Sequence, residues 1–484
     1  MHLIGISILS LVSAATTQVP AKPASAATPA RLPNVVIFYA DDLGYGDVGC
    51  FGQQRWKTPN IDRLAREGVR FTDFRVSQPV CSASRTSLLT GCYANRLGIH
   101  GALNHSARHG INAEETTLAE VCKQKGYATA AIGKWHLGHH PMFLPTRHGF
   151  DEYLGLPYSN DMWARSKVAK RGDYPPLPLF DGEKIIDSDV DERDQAELTR
   201  KYGDRAADFI DRNKGGPFFL YLAFTMPHVP LFASSSFQGR SPAGVYGDVI
   251  EELDDAVGKA LAALDRNGLA NDTLAIFTSD NGPWLTYGPH AGTAGPLREG
   301  KGTVYEGGLR TPFAARYPGR IPAGSVCGET AMTIDILPTI ARLIGAEPPK
   351  RKIDGLDIWP LLSGQPGAKC PHEAFYHYYH QGELQAIRSG PWKLILPHKA
   401  KLIEGTPLGK DGFPGKPRDT YVKLQLYNLD LDLGERTDLV DQRPKIVTQL
   451  MTHVEAARAE LGDALAGRKG SGTRPPGRLP NPGS

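Results

Sequence analysis

Four short apolar runs, each ending abruptly in polar residues, constrain this chain more than any other feature. They are residues 34–40 (N-V-V-I-F-Y-A), 127–132 (Y-A-T-A-A-I), 217–225 (P-F-F-L-Y-L-A-F-T) and 273–279 (T-L-A-I-F-T-S). Continuous apolar runs of this length read as strands buried on both faces. Between them the periodicity turns helical. Ile61, Leu64, Ala65 and Val69 share one face, residues 116–125 read as a second helix, and residues 246–267 carry a stripe through Val249, Ile250, Leu253, Val257, Ala260, Leu261 and Leu264. Strands alternating with helices give an α/β fold: a large, mostly parallel sheet sandwiched by helices.

Each run delivers polar groups at its carboxyl end, where open α/β sheets collect their ligands. The first ends in Asp41 and Asp42, the last in Asp280 and Asn281. Together these four make an all-oxygen set of the kind calcium takes; magnesium fits less well, and soft metals want sulfur or imidazole. The second run leads to Lys134 and His136, which face one side in extended chain and suit an oxyanion and a moving proton. The third leads to His228, whose approach is restricted by Pro227 and Pro230. Taken singly, these are a solvated acidic turn, a surface pair and a loop histidine. Four together describe one site at a sheet edge. Lys301 stands between Gly300 and Gly302, which let the backbone come close to a ligand, but the spacing of a nucleotide phosphate loop is absent.

Cys81 stands where a turn enters a short helix, with Arg85 one helical turn later on the same face. An anion beside Cys81 would find the free N–H groups of a helix start. The plain alternative is a buried thiol with a surface arginine nearby.

C-S-A-S-R followed by T-S-L-L-T-G, at residues 81–91, resembles the signature of the formylglycine-dependent sulfatases, with Ala83 where proline is commonest. D-D-L-G-Y-G-D, G-K-W-H-L-G, M-P-H, S-D-N-G and G-K-G-T-x-x-E-G-G are similar to the successive motifs of the arylsulfatase A-like sulfatases. Residues 143–161 resemble the arylsulfatase A and N-acetylgalactosamine-6-sulfatase branch, and R-S-G-P-W-K-L-I and L-Y-N-L-D-L-D-L-G-E the C-terminal domain of the family. The likeness runs from about residue 34 to about residue 463.

The resemblance implies an alkaline-phosphatase-like sulfatase fold and hydrolysis of sulfate monoesters of aryl alcohols or terminal sulfated carbohydrates. It implies that a maturation enzyme oxidises Cys81 to formylglycine, and that Asp41, Asp42, Asp280, Asn281 and the modified Cys81 bind calcium. Arg85 would then stabilise the two hydroxyls of the hydrated aldehyde, with Asp280 accepting the first proton. Lys134 and Lys301 would neutralise the sulfate, and His228, helped by Lys301, would protonate the leaving alcohol. His136 would take the second hydroxyl's proton. His139, His140 and Asp161, with the proline- and glycine-rich excursion over residues 151–216, are candidates for contacts to the leaving group.

Composition sets the remaining limits. With 55 basic residues against 52 acidic ones and a net charge of +3, no global field argues for nucleic acid. Residues 3–15 read as an export signal with a cleavage site near Val12, Ser13 and Ala14, too short to span a membrane, followed by a spacer to residue 30. This points to a secreted or periplasmic protein. A catalytic domain over 31–370 is expected to precede an α+β subdomain over 371–466. That subdomain has short strands at 373–379, 385–388, 393–396 and 424–428 and a closing helix at 444–461. A disordered tail is expected over 467–484. Six cysteines permit disulfides; with Cys81 committed, five remain and at least one stays unpaired. Two rivals differ in what they require. A phosphoester hydrolase of similar architecture would carry a serine or threonine nucleophile and histidine-rich ligation of two metals, and a non-catalytic carbohydrate-binding relative would lack one of the polar groups above.

Overall fold

The structure, a computed structural model, describes residues 31–480. The export signal, the spacer and the last four residues lie outside them. Residues 32–480 form one compact unit.

The centre is a sheet of eleven strands, whose path we number in chain order. They are β1 (Asn34–Ala40), β2 (Val69–Arg75), β3 (Ala128–Gly133), β4 (Glu152–Gly155), β5 (Leu179–Asp181), β6 (Lys184–Asp187), β7 (Phe218–Ala223), β8 (Thr273–Ser279), β9 (Arg310–Arg316), β10 (Ser325–Cys327) and β11 (Ala331–Met332). The order is β10-β2-β9-β8-β1-β7-β3-β4-β5-β6, with β11 also paired to β2. The middle five strands, β8-β1-β7-β3-β4, are all parallel. On both sides antiparallel strands take over: β9 pairs β8 and β2, and β5 pairs β4 and β6. The sheet is mixed at its flanks because β9 and β5 return without a crossover helix.

β1 shows why the central runs are apolar throughout. Val35, Ile37 and Tyr39 enter the core on one face; Val36, Phe38 and Ala40 enter the core on the other. Each buried Val, Ile or Phe contributes about 1.5–3 kcal/mol, and the polar side chains these strands do carry, such as Asn34 and Thr273, are hydrogen-bonded to each other. The first core is closed by the helices Cys81–Thr90, Leu118–Lys123 and Ile336–Ile344, the second by Pro59–Arg66, Glu192–Arg212 and Val245–Arg266.

Two expectations need correcting. The excursion over 151–216 is not irregular throughout: Glu192–Arg212 is a 21-residue helix, started by a capping box in which Asp191 accepts from Arg193 and Asp194. Leu198, Tyr202, Ala206, Phe209 and Ile210 form its buried stripe, which dense surface charge obscures in the sequence. The tail is not free over 467–480 either. Gly477–Arg478 pairs with His109–Gly110, and the Arg474 guanidinium holds the buried Glu115 carboxylate at 2.7 and 2.8 Å. It buries charge and backbone rather than apolar surface, which a hydrophobicity reading does not register. The six cysteines are free thiols.

The smaller sheet comprises β12 (Phe375–Tyr379), β13 (Glu383–Ser389), β14 (Trp392–Ile395) and β17 (Gln425–Asn428), all antiparallel. The helix Pro444–Leu461 packs on it through Leu450, Val454, Ala457 and Leu461. Between β14 and β17 lies a separate hairpin, β15 (His398–Leu402) with β16 (Arg418–Val422).

The smaller sheet meets the large one over buried charge. Glu306 accepts from Arg75 at 2.6 and 2.8 Å and from Lys393 at 2.8 Å. Lys393 also sits 2.7 Å from Glu435, which accepts the Glu306 N–H at 2.6 Å. Burial pushes Glu435 up from 4.5 to about 7, and the neighbouring Glu306 adds to this against Lys393. A folded state that holds its proton more tightly than the unfolded chain is favoured below 4.5 and loses that advantage as pH rises to about 7. Glu435→Gln removes the ionisation, so the fall in melting temperature between pH 5 and pH 8 should be smaller than in the wild type. Equal falls in thermal melts at the two pH values would show that Glu435 does not titrate in this window.

Candidate active site

The carboxyl ends of β1, β3, β7 and β8 bring their polar residues to one point. β1 runs into Asp41 and Asp42, β8 into Asp280 and Asn281, β3 into Lys134 and His136, and the segment after β7 carries His228. Asp42 and His136 hold φ of 63° and 61°. A left-handed conformation costs a residue with a Cβ on the order of 1 kcal/mol and is kept where the surroundings fix it. Here the Asp42 N–H is fixed by Asp280 Oδ1 at 3.0 Å and the His136 N–H by the Pro157 carbonyl at 3.2 Å. At Gly133 a Cβ would fall 1.8 Å from the Ala223 carbonyl, so only glycine lets β3 pass β7 and deliver Lys134.

Cys81 is the first residue of a helix in which all ten side chains are buried. The Ala83 N–H in its first turn donates to the Gly101 carbonyl at 3.2 Å, a bond that a proline there could not make. Arg85 lies under Cys81 and is wholly enclosed. Its Nη2 is 2.9 Å from Asp280 Oδ2 and 3.5 Å from Asp41 Oδ1, and its Nη1 donates to the Lys134 carbonyl at 3.0 Å.

The lysines are held by the acids of β1. Lys134 Nζ donates to Asp41 Oδ2 at 2.6 Å and to Ser159 Oγ at 3.1 Å. Lys301 Nζ lies 2.7 Å from Asp42 Oδ1, 3.4 Å from Cys81 Sγ and 4.4 Å from the centre of the Trp284 ring. His228 Nδ1 bonds the Val229 carbonyl at 2.6 Å, which turns Nε2 toward Asp42 Oδ2 at 3.5 Å and Ser159 Oγ at 3.4 Å. His136 Nε2 bonds the Leu103 carbonyl at 2.7 Å, leaving Nδ1 buried without a partner.

This packing of charge sets the protonation states. Burial would raise Asp41, but Lys134, His228 and Arg85 overcome it and hold the carboxyl well below its usual range. Asp280 goes the other way: burial, then the Asp41 charge, lift it to about 7 against the pull of Arg85. Burial lifts the Cys81 thiol to about 12 although Lys134 and Lys301 oppose it, so the unmodified residue is a protonated, poor nucleophile. Burial with Lys301 lowers His228, and burial with Lys134 and Arg85 lowers His136 well below its usual value.

At the ends of β1 and β8, the buried Oδ1 atoms of Asp41 and Asn281 have no hydrogen-bond partner. Oxygen atoms of Asp41 and Asp42, Cys81 Sγ and a ring nitrogen of His228 all lie within 4.8 Å of one another. Orphaned buried oxygens beside further carboxylates fit a hard cation, whose charge would satisfy both.

The point opens into a cavity of about 970 Å³. Cys81, His136, His228 and Lys301 line its floor, and Asp161 lines a wall. His139 and His140 are not among the lining residues; their rings lie against each other at 4.0 Å, tilted by 37°, with His139 edge-on to Tyr158. The sequence reading missed Ser159, which links Lys134 to His228, and Trp284, which lies under Lys301 and 5.5 Å from the His228 ring. It also missed the wall built by the β15–β16 hairpin. Trp284, four residues beyond Asp280, had a sequence signal in its nearness to the motif; Ser159 and the hairpin had none.

The family model for sulfatases matches residues 33–346, and that for the C-terminal region of aryl-sulfatase matches residues 370–470. Arylsulfatase A of Bos taurus is 38% identical over 90% of this chain and 89% of its own length. N-acetylgalactosamine-6-sulfatase of Canis lupus familiaris is 37% identical over 84% of this chain and 81% of its own. Among solved structures, the PsFucS1 sulfatase from Pseudoalteromonas sp. superposes with a TM-score of 0.77 at 28% identity, covering 88% of this chain and 91% of that one. A phosphonate monoester hydrolase of Agrobacterium radiobacter, at 20% identity and a TM-score of 0.58, shares the fold alone. On the family match and the identity across nearly its whole described length, this chain belongs to the sulfatases, the sulfuric ester hydrolases.

Proposed function

We propose that this sulfatase hydrolyses sulfate monoesters of an aryl alcohol or a terminal sulfated carbohydrate, using formylglycine made from Cys81 and a bound calcium ion. The observation that carries the reading is the position of Lys301 Nζ, 3.4 Å from Cys81 Sγ and 2.7 Å from Asp42 on the cavity floor. A sulfate held there meets two lysines, two histidines and the start of a helix.

Asp41, Asp42, Asp280, Asn281 and the modified residue 81 would hold calcium, which supplies a Lewis-acidic charge for a sulfate oxygen. The hydrated aldehyde supplies two hydroxyls on one carbon, one to displace the alcohol from sulfur and one to release the sulfate. Arg85 orients that pair of hydroxyls from below. Asp280, oriented by the Arg85 guanidinium at 2.9 Å, accepts the first proton. Lys134 and Lys301 neutralise charge on the transferring group. His228 gives the departing alcohol its proton from Nε2, since Nδ1 is committed to the Val229 carbonyl. A lowered pKa makes its protonated ring a stronger acid for that step. His136, neutral and with Nδ1 free to accept, takes the proton of the second hydroxyl.

The alcohol would leave toward Asp161 and the open cavity; His139 and His140, outside that cavity, are not proposed as its contacts. The partners this reading requires are a formylglycine-generating enzyme and a sulfated small molecule or saccharide, met outside the cell or in a periplasm. Among the described residues no helix is long and apolar enough to cross a membrane.

One experiment tests both groups. The tryptic peptide 76–85, from protein made in its native host, should carry the mass of formylglycine at residue 81. The same preparation should release sulfate from 4-nitrophenyl sulfate, lose this on chelation and regain it with calcium. Efficient release by a protein with unmodified Cys81 would overturn the nucleophile; release unaffected by chelation would overturn the metal.

A further inference from the structure

The β15–β16 hairpin presents two unlike faces. His398, Leu402 and Val422 are buried and Ala400 is partly buried. Ala400, Leu402 and Val422 pack with Val304, Tyr305 and Leu309, in the segment just after Lys301. Lys399 and Lys401 alternate with them and are exposed on the opposite face, both lining the cavity above Cys81. In the ladder Lys399 stands opposite Tyr421 and Lys401 opposite Asp419.

The hairpin is tied to the catalytic floor. The Glu299 carboxylate, two residues before Lys301, accepts the N–H groups of Ile403 and Glu404, both at 3.0 Å. The two lysines therefore ride on the backbone that positions Lys301. At the same end Arg298 and Arg436 are both engaged by Glu404, at 2.8 and 3.4 Å. Among the described residues Lys399 and Lys401 have no ion-pair partner. Across this hairpin face Asp419 stands against two ammonium groups, and the nearby Glu299 carboxylate is taken up by the Ile403 and Glu404 N–H groups, so this part of the wall is positive. Trp284 and Tyr379 line the cavity with Tyr421, offering flat apolar surface of the sort that sugar rings lie against.

We propose that Lys399 and Lys401 form a second anion subsite, which takes a charged group on the leaving saccharide beyond the sulfate being cleaved. The substrate class is then an oligosaccharide bearing at least two anionic groups, rather than a singly charged aryl sulfate. This rests on the reading of the Cys81 cavity as the sulfate site. The second group is a sulfate or a uronate carboxylate, and either satisfies two ammonium groups.

The test is binding, measured by titration calorimetry on Cys81→Ala protein so that turnover does not intervene. The probes are galactose 6-sulfate, a κ-carrageenan tetrasaccharide (sulfates without uronate) and a chondroitin 6-sulfate tetrasaccharide (sulfates and uronates). A tetrasaccharide should bind more tightly than the monosaccharide. Adding Lys399→Gln and Lys401→Gln should shrink that ratio by about tenfold, the order that two exposed ion pairs supply. Asp419→Asn should widen it. Preference for one tetrasaccharide identifies the anion. A ratio that neither set of substitutions changes overturns the subsite. Failure of all three probes to bind, galactose 6-sulfate included, counts instead against the sulfate site itself.

Discussion

Cys81→Ala and Cys81→Ser proteins should both fold as the wild type does and should both fail to release sulfate through repeated turnovers. The side chain at 81 is buried but small, and its polar neighbour is the Lys301 ammonium at 3.4 Å, which Asp42 also holds at 2.7 Å. Either substitution therefore costs little stability. The chemical loss is of another size. Alanine offers no nucleophile. Serine offers one hydroxyl, enough to accept a sulfate once, but no second hydroxyl on the same carbon to expel it. A rapid mix of Cys81→Ser protein with 4-nitrophenyl sulfate should at most give a burst of one equivalent of nitrophenol and then stop. Sustained release at the wild-type rate by either variant would remove residue 81 from the chemistry.

Arg85→Met should be the most destabilising change in the site. Its guanidinium is enclosed between Asp280 and Asp41, at 2.9 and 3.5 Å, and no solvent reaches any of the three side chains. Removing one partner of a buried pair leaves the other as an uncompensated charge, which costs about 3–5 kcal/mol. Asp280, already lifted to about 7, is driven further up by the loss of Arg85 and protonates, which also removes the proposed base. The urea midpoint should fall and turnover should be lost together. Arg85→Lys restores a charge but not the fork that reaches Asp280 and the Lys134 carbonyl at once, so it should recover part of the stability and little of the rate. A wild-type urea midpoint for Arg85→Met would mean that the pair is not the anchor described.

Where the sequence was informative, the reason was burial on both faces. Asp41, Lys134, His228 and Asp280 stand just beyond runs that parallel pairing keeps free of charge, so the first titratable group after each run marks the sheet edge. The antiparallel flanks were not legible that way. β2 and β9 carry Arg70, Asp73, Arg75, Arg310 and Arg316 in their length, and Arg75 finds Glu306 and Asp73 finds Arg388 only once the chain is folded. Ser159 gave no signal, because a serine in a loop takes its meaning from Lys134 and His228 on either side. His139 and His140 misled for the reverse reason: they directly follow a motif, but their rings lie against each other and Tyr158 and do not line the cavity.

The helix that begins at Cys81 has no exposed residue along its ten positions. A small molecule can come down the cavity to the thiol, but a protein catalyst that needs several residues of this segment in its own cleft cannot grip it once the sheet has closed. On the formylglycine proposal, whether a given copy of the chain becomes an enzyme would be decided by a race, in which oxidation of residue 81 must finish before the surrounding strands assemble. Mutations that merely hasten folding could then lower the active fraction without touching the site.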